Sequence, residues 1–311
     1  MVRVKAEHFK ALSHYHTASA LCDFSSKTHL KKAVIKHEEA MRIHGDCSRP
    51  SGCFNFLKEN FSNAPSLDMS AASLNMLVRL MVAQVQECVF EKFVLENTQD
   101  NFISQLQMAQ EAARVEDVYT LVYRTMMHPP VKDYVPFSWT TMVRVKAEHF
   151  KALSHYHTAS ALCDFSTAPG LELIEHEKIF LQFHVSPVEG ATISLLLQDQ
   201  EERRKLGKTH LKKAVIKHDE EAMRIHGLCK ILRKMDILQE VLTLAHKRSL
   251  NKYSDIDHEE DFFETGEAPD IQSKIAHLQQ RRPDVRLCRA GGHHQAACPS
   301  SMVTHKCMTP I

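Results

Sequence analysis

Glycine is scarce, 9 of 311 residues, there is a single tryptophan, and strand-type alternation of apolar and polar residues hardly occurs. The chain has no GxSxG, no phosphate loop, no dinucleotide fingerprint and no HExxH, so the familiar nucleophile, nucleotide and zinc-protease motifs are excluded. None of its nine cysteines forms a CxxC. An odd number of scattered cysteines suits a reducing compartment better than a disulfide framework. No stretch approaches the ~18 uninterrupted apolar residues of a membrane-spanning helix. The opening MVRVKAEHFK places charges where a secretory signal would have its apolar run. A formal net charge of +1 gives no reason to expect nucleic acid or acidic lipid as partner. A cytoplasmic globular protein is expected, with no cofactor.

Helical spacing dominates what is present. Ser70 to Phe93 carries Leu74, Leu77, Met81, Val85 and Cys88 at steps of three and four, and Asp68 or Ser70 is placed to cap it. Met76, Leu80, Val82 and Val89 cover its other faces, so this helix is expected among neighbours on several sides. A second helix is expected from Asn101 to Met127, ended by the two prolines of HPPVKDYVPFSW. A third should run from Val143 to Cys163, where small and large residues alternate on the inner face. After the TAPG loop comes a shorter element at Leu171–Val185, then one long helix from Ile193 to about Lys247 with Gly207 and Gly227 as weak points. The acidic SDIDHEEDFFETGEAPD follows, and from Arg281 the pattern is lost, as in a disordered tail.

One feature is unusual. MVRVKAEHFKALSHYHTASALCDFS, residues 1–25, returns letter for letter at Met142–Ser166. Lys27–His37 equals Lys208–His218, and Glu38–Gly45 equals Glu220–Gly227, with Asp219 extra. The first copy lacks the 41 residues Thr167–Gly207, with Ser26 at the junction. Solenoid repeats recur at ~20–50 residues and vary in sequence; identity at every exposed position indicates gene rearrangement instead. Both copies favour one docking site, and the downstream copy has the native context.

Phe54 to Phe93 resembles the BRO-one domain of the rhophilin family. The resemblance is carried by FSNAPSLDMS, by AQVQE at Ala83–Glu87, by PFSW at Pro136–Trp139, by RRKLGKTHLKKA at Arg203–Ala214 and by EEDFFETGEAPD at Glu259–Asp270. It implies an all-α fold: a curved, helical-hairpin, solenoid-like core, incomplete at its N-terminal side. The corresponding organisation is a duplicated partial helical segment at 1–47, a partial BRO-one domain at 54–265 and a disordered tail at 266–311. The family implies a protein-interaction scaffold in endosomal sorting and Rho signalling, peripheral to endosomal membranes or actin-rich perinuclear regions. In relatives a hydrophobic patch accepts an amphipathic helix from ESCRT-III subunits. Leu77, Leu80, Met81 and Val85 are the candidate partner-binding residues, chosen by segment. Rhophilins bind activated Rho through an N-terminal coiled coil that this sequence does not show, so no direct Rho binding is expected.

Two other readings stay open: a degenerate duplicate without folded function, and a zinc module using Cys288, His293, His294, Cys298, His305 and Cys307, whose spacing fits no common zinc pattern. His149, His155 and His157 read as packing residues, with His155 and His157 on different sides of their helix. KTHLKKAVIKH reads as a solvated helix face rather than a lipid or calmodulin site.

Overall fold

The computed structural model describes residues 70–97, 101–164, 178–184, 199–232, 236–257 and 267–274, with Phe54, Lys58, Glu59, His176 and Leu197 placed singly. Five long helices make up most of this: α1 (Ala71–Glu96), α2 (Phe102–Met127), α3 (Phe137–Asp164), α4 (Gln200–Leu232) and α5 (Asp236–Asp257). A short 3₁₀ turn, Val131–Asp133, joins α2 to α3. Each long helix packs on the next in sequence, the arrangement short connections favour. The fold is all-α, as the residue spacing predicts.

The helix starts follow local chemistry. The Ser70 side chain accepts from the Ser73 N–H at 3.2 Å, and the Asn101 side chain accepts from Ser104 N–H at 2.8 Å. Each satisfies one orphan donor of the first turn. Helix α2 ends at His128, before Pro129 and Pro130. Helix α3 begins six residues earlier than expected, because PFSW is its first turn: Trp139 N–H and Thr140 N–H both donate to Pro136 O.

The long helix expected from Ile193 to Lys247 is two helices. α4 ends at Leu232 and α5 packs back on α4. The seam of Leu238, Leu242 and Ala245, all buried, therefore serves a second layer instead of prolonging one rod. Sequence periodicity reports the apolar stripe of a helix and is silent about a change of direction that keeps the same period.

The core has two parts. Met76, Leu80, Met81 and Phe90 of α1 meet Val115, Tyr119, Val122 and Met126 of α2 and Val143, Ala147, Phe150 and Leu153 of α3. The second part joins the start of α2 (Phe102, Leu106, Ala109) to the end of α3 (Ala161, Leu162), with Phe180, Phe183, Leu206 and Ile271 closing it. Ile271 lies in a short extended segment, 267–274, held by a bridge to His184 and by the Gln272 N–H donating to Phe183 O at 2.7 Å. These residues were expected in the tail and instead strap the helices; the rest of the tail and the copy at 1–47 lie outside the described residues.

Gly207 is a packing residue rather than a bend. A Cβ there would sit 2.3 Å from Cys163 Sγ and 3.3 Å from Leu162 Cβ, so its absence lets α4 approach α3. Gly207→Leu should cost about 1–3 kcal/mol as an overpacked contact, read as a lower urea midpoint at unchanged slope. Gly207→Ala should cost less, since the thiol can turn aside and helix propensity returns about 1 kcal/mol.

Candidate functional site

Three features stand out: a buried ion pair, a histidine ladder and a surface trough. In the first, Lys146 Nζ of α3 lies 2.6 Å from both carboxylate oxygens of Glu87 on α1. Tyr119 of α2 donates its hydroxyl to the same carboxylate and lies 3.4 Å from Lys146 Nζ. All three residues are buried. Burial, then the charge of Glu87, pushes the Tyr119 hydroxyl well above its usual pKa. The glutamate of AQVQE thus binds three helices together. Buried and bonded to both neighbouring helices, it is a structural tie.

The second feature lies between α3 and α4. His155 Nδ1 and His210 Nδ1 are 2.8 Å apart, and His210 Nε2 is 3.2 Å from His184 Nε2. Each contact needs one donor and one acceptor, so neutral rings must alternate in tautomer along the row. Asp270 Oδ1 lies 3.8 Å from His155 Nε2, too long for a hydrogen bond, so the neutral ring offers the carboxylate only its N–H dipole. With the Nε2 proton turned toward Asp270, His155 Nδ1 accepts from His210, and His210 Nε2 accepts from His184. Lys213 and Lys151 hold Asp270 at 2.7 and 3.1 Å. His155, then these lysines, keeps its carboxyl well below the usual range.

His149 and His218 meet farther along the same helix pair, with ring centres 5.3 Å apart and planes tilted by 45°, and His157 turns the other way to Gln105 of α2 at 2.9 Å. So His155 and His157 do face different sides. Burial lowers the pKa of His149, His157 and His184 to about 3 and of His155 to about 4, and lowers that of His210 strongly. His210 uses a different nitrogen toward each neighbour, so the row does not converge on one point, and no group of metal-ligating side chains occurs among the described residues. The run KTHLKKAVIKH proves only partly solvated: Lys208, His210 and His218 are buried. Sequence charge alone hides this, because a histidine reads as polar whether or not another ring neutralises its needs.

The third feature is a trough along the seam of α1 and α2. One end is a cavity of about 340 Å³ lined by Asn75, Arg79, Leu121, Arg124, Thr125 and His128, among others. The other, about 450 Å³, is lined by Gln86, Arg114, Asp117, Val118, Leu121, Ser273 and Lys274. Leu121 belongs to both and is 45% exposed. Arg79 is fixed by donating to Thr125 Oγ1 at 2.8 Å.

Of the four residues named from sequence, Leu80 and Met81 are core, 4% and 2% exposed. Leu77 is half-buried against the same cluster, and Val85 is half-buried. The structure does not bring the four together as one patch. The trough residues of α2 were missed because Leu121, Arg124 and His128 look like an ordinary exposed face; only the neighbouring α1 makes a groove of them.

The profile of the BRO1-like domain matches residues 45–281. Human Rhophilin-1 is 50% identical over 254 residues, covering 81% of this chain and 37% of that protein. Rhophilin-2-B of Xenopus laevis is 39% identical over 275 residues, covering 88% of this chain and 39% of that protein. The chain thus spans less than two fifths of either relative. A Bro1 domain solved as the basis for endosomal targeting overlaps with TM-score 0.44 at 17% identity, over 80% of this chain and 58% of that one.

Two outcomes follow from the buried groups. Glu87→Leu alone should cost about 3–5 kcal/mol, because Lys146 is left charged and buried, whereas Glu87→Leu with Tyr119→Phe and Lys146→Met should recover most of that loss; urea titration measures both. The five lowered histidines bind fewer protons folded than unfolded. Their neutral state is therefore free of penalty above about pH 6.5, and stability falls as pH drops from there toward 3–4, by at most about 1.4 kcal/mol per pH unit for each histidine. Midpoints at pH 7.5 and 5.5 should differ accordingly. Asp270 adds nothing between pH 7.5 and 5.5, since a depressed carboxyl begins to lose its contribution only as pH falls to the ordinary aspartate pKa of 3.8.

Proposed function

Because the chain belongs to the BRO1-like domain family, we propose that it is a non-enzymatic scaffold that accepts an amphipathic helix from a partner protein. The partner class is the ESCRT-III type, in endosomal sorting or Rho-linked signalling. The observation that supports this best is the α1–α2 trough. Its floor carries exposed Leu121, and Arg79 and Arg124 stand beside it. Two parallel ridges with an apolar groove between them suit a third helix whose leucines face inward. The guanidiniums suit carboxylates flanking that apolar stripe. Leu77 and Val85 are secondary contacts at its flank, and Leu80 and Met81 act by holding α1 in place. No described helix is long and apolar enough to cross a membrane.

Fluorescence anisotropy of a labelled C-terminal ESCRT-III helix, titrated with the full chain, tests the reading. Leu121→Asp should weaken binding at least tenfold, because a leucine contact contributes about 1.5–3 kcal/mol when buried, and should leave the urea midpoint unchanged. Arg79→Glu with Arg124→Glu should also weaken it and flatten its salt dependence. No binding by the unaltered chain, or binding indifferent to Leu121→Asp, contradicts the proposal.

A further inference from the structure

The two ends of the trough differ in charge. The end beside Asp117 is mixed: Arg114 is taken by Glu111 and by Ser273 O, and Asp117 and Lys274 share the lining. The end beside His128 is cationic. Arg79 reaches it from α1 and Arg124 from α2, and no carboxylate lines it among the described residues. Neither guanidinium has an ion-pair partner among those residues either. Like charges gathered on one cavity repel unless a counter-charge sits between them. The helix ends do not supply one. α1 begins beside the cavity at Ala72 and α2 ends beside it at Met127, so their positive and negative partial charges largely offset each other.

The donors suit an anion with more than two oxygens. Arg79 spends one N–H on Thr125 Oγ1 at 2.8 Å, which fixes its guanidinium and leaves the rest of the fork for a ligand. Thr125 is free to accept, because its own hydroxyl proton goes to Leu121 O at 2.8 Å. His128 donates from Nδ1 to Pro129 O at 2.6 Å, so Nε2 is the ring nitrogen left for a ligand. Arg124 is exposed on the opposite wall, and the Asn75 carboxamide joins the lining. A carboxylate has two oxygens in one plane and is satisfied by a single guanidinium fork. A phosphoryl group has three terminal oxygens and close to two charges, enough to engage both walls. The cavity of about 340 Å³ holds such a group with several waters, each taking about 30 Å³.

We infer that this end of the trough is a phosphomonoester site, filled by a phosphoserine or phosphothreonine on a docked helix. The inference rests on the preceding reading of the trough and names what its cationic end selects. Leu121 lines the same cavity and lies one turn from Arg124 on α2, so the partner carries its phosphorylated residue about one turn from a leucine. The mixed charge at the Asp117 end gives that partner a direction, with the phosphate toward His128. A lipid headgroup offers the same chemistry, but a groove with an exposed leucine on its floor is filled along its length by a helix.

The test uses the full chain and a labelled, alanine-based helical peptide with one leucine stripe and a serine one turn away, read by fluorescence anisotropy. Serine, glutamate and phosphoserine forms are compared. The phosphoserine form should bind about tenfold or more tighter than the serine form, and tighter than the glutamate form. Arg124→Gln, and separately Arg79→Gln, should cut that ratio to about threefold or less. Arg124→Gln should leave the urea midpoint unchanged, since the side chain is exposed. No binding of the phosphoserine form, equal affinity for the phosphoserine and glutamate forms, or a ratio indifferent to both substitutions overturns the inference. Vesicles containing a phosphatidylinositol monophosphate form the second arm, and Arg124-dependent vesicle binding without a phosphoserine gain overturns the peptide assignment. The two readings fail separately. A phosphoserine gain without binding of the ESCRT-III helix sinks only the preceding one, and binding of that helix without a phosphoserine gain sinks only this one.

Discussion

The contact on which the rest depends is the buried pair of Lys146 and Glu87, closed by the Tyr119 hydroxyl. A carboxylate and an ammonium withdrawn from water are costly, and the cost is offset only when geometry and extra hydrogen bonds are good. Here one carboxylate takes both remaining groups, one from each neighbouring helix. Its demand for partners fixes the register of α1 against α2 and α3 at a single height. Apolar packing around it, such as Phe90 edge-on to Phe150 at 5.5 Å, is tolerant of sliding; the ion pair is not. With α1 held in that register, Arg79 reaches Thr125 and the seam between α1 and α2 becomes a trough with Leu121 at its middle.

The second half of the stack is held differently. Between α3 and α4 polar rings add to the aliphatic packing of Leu162 and Leu206 and bond one another in a row that points toward a carboxylate. Asp270 is brought there by the strap, so a segment remote in sequence supplies the carboxylate that pairs with Lys151 and Lys213 of the helix pair. This explains why an acidic, weakly periodic stretch after α5 packs: Lys151, Lys213 and His155 receive its aspartate, and Ile271 enters the second core. The same interface leaves room for a Cβ at Gly207 only if the Cys163 thiol turns aside, so close approach of the backbones and close approach of the rings arise together.

The helices are legible because each carries an apolar stripe with the right period, and α1 and α2 each start at a capping side chain. Ser70 and Asn101 are where local chemistry puts them. The end of α2 at Pro129 was equally local. The break between α4 and α5 was not, since both helices share one period and only contacts between them reveal the reversal. The strap was illegible for the opposite reason: one isoleucine and one aspartate in a short segment make no pattern, and their partners lie more than 50 residues away. Of the four residues named from sequence, two lie in the core and two are half-buried, so the exposed groove lies on another face. Leu80 and Met81 are the most hydrophobic-looking choices on α1 for the same physical reason that buries them, and the groove is a property of two helices rather than one.

The central claim is that α1 to α5 and the strap form one cooperative unit tied by these polar contacts. Differential scanning calorimetry of the full chain at pH 7.5 tests it most directly. A single transition whose calorimetric and van't Hoff enthalpies agree is the predicted result. A broad, non-cooperative loss of helix, or separate transitions for the two halves of the stack, would contradict the account.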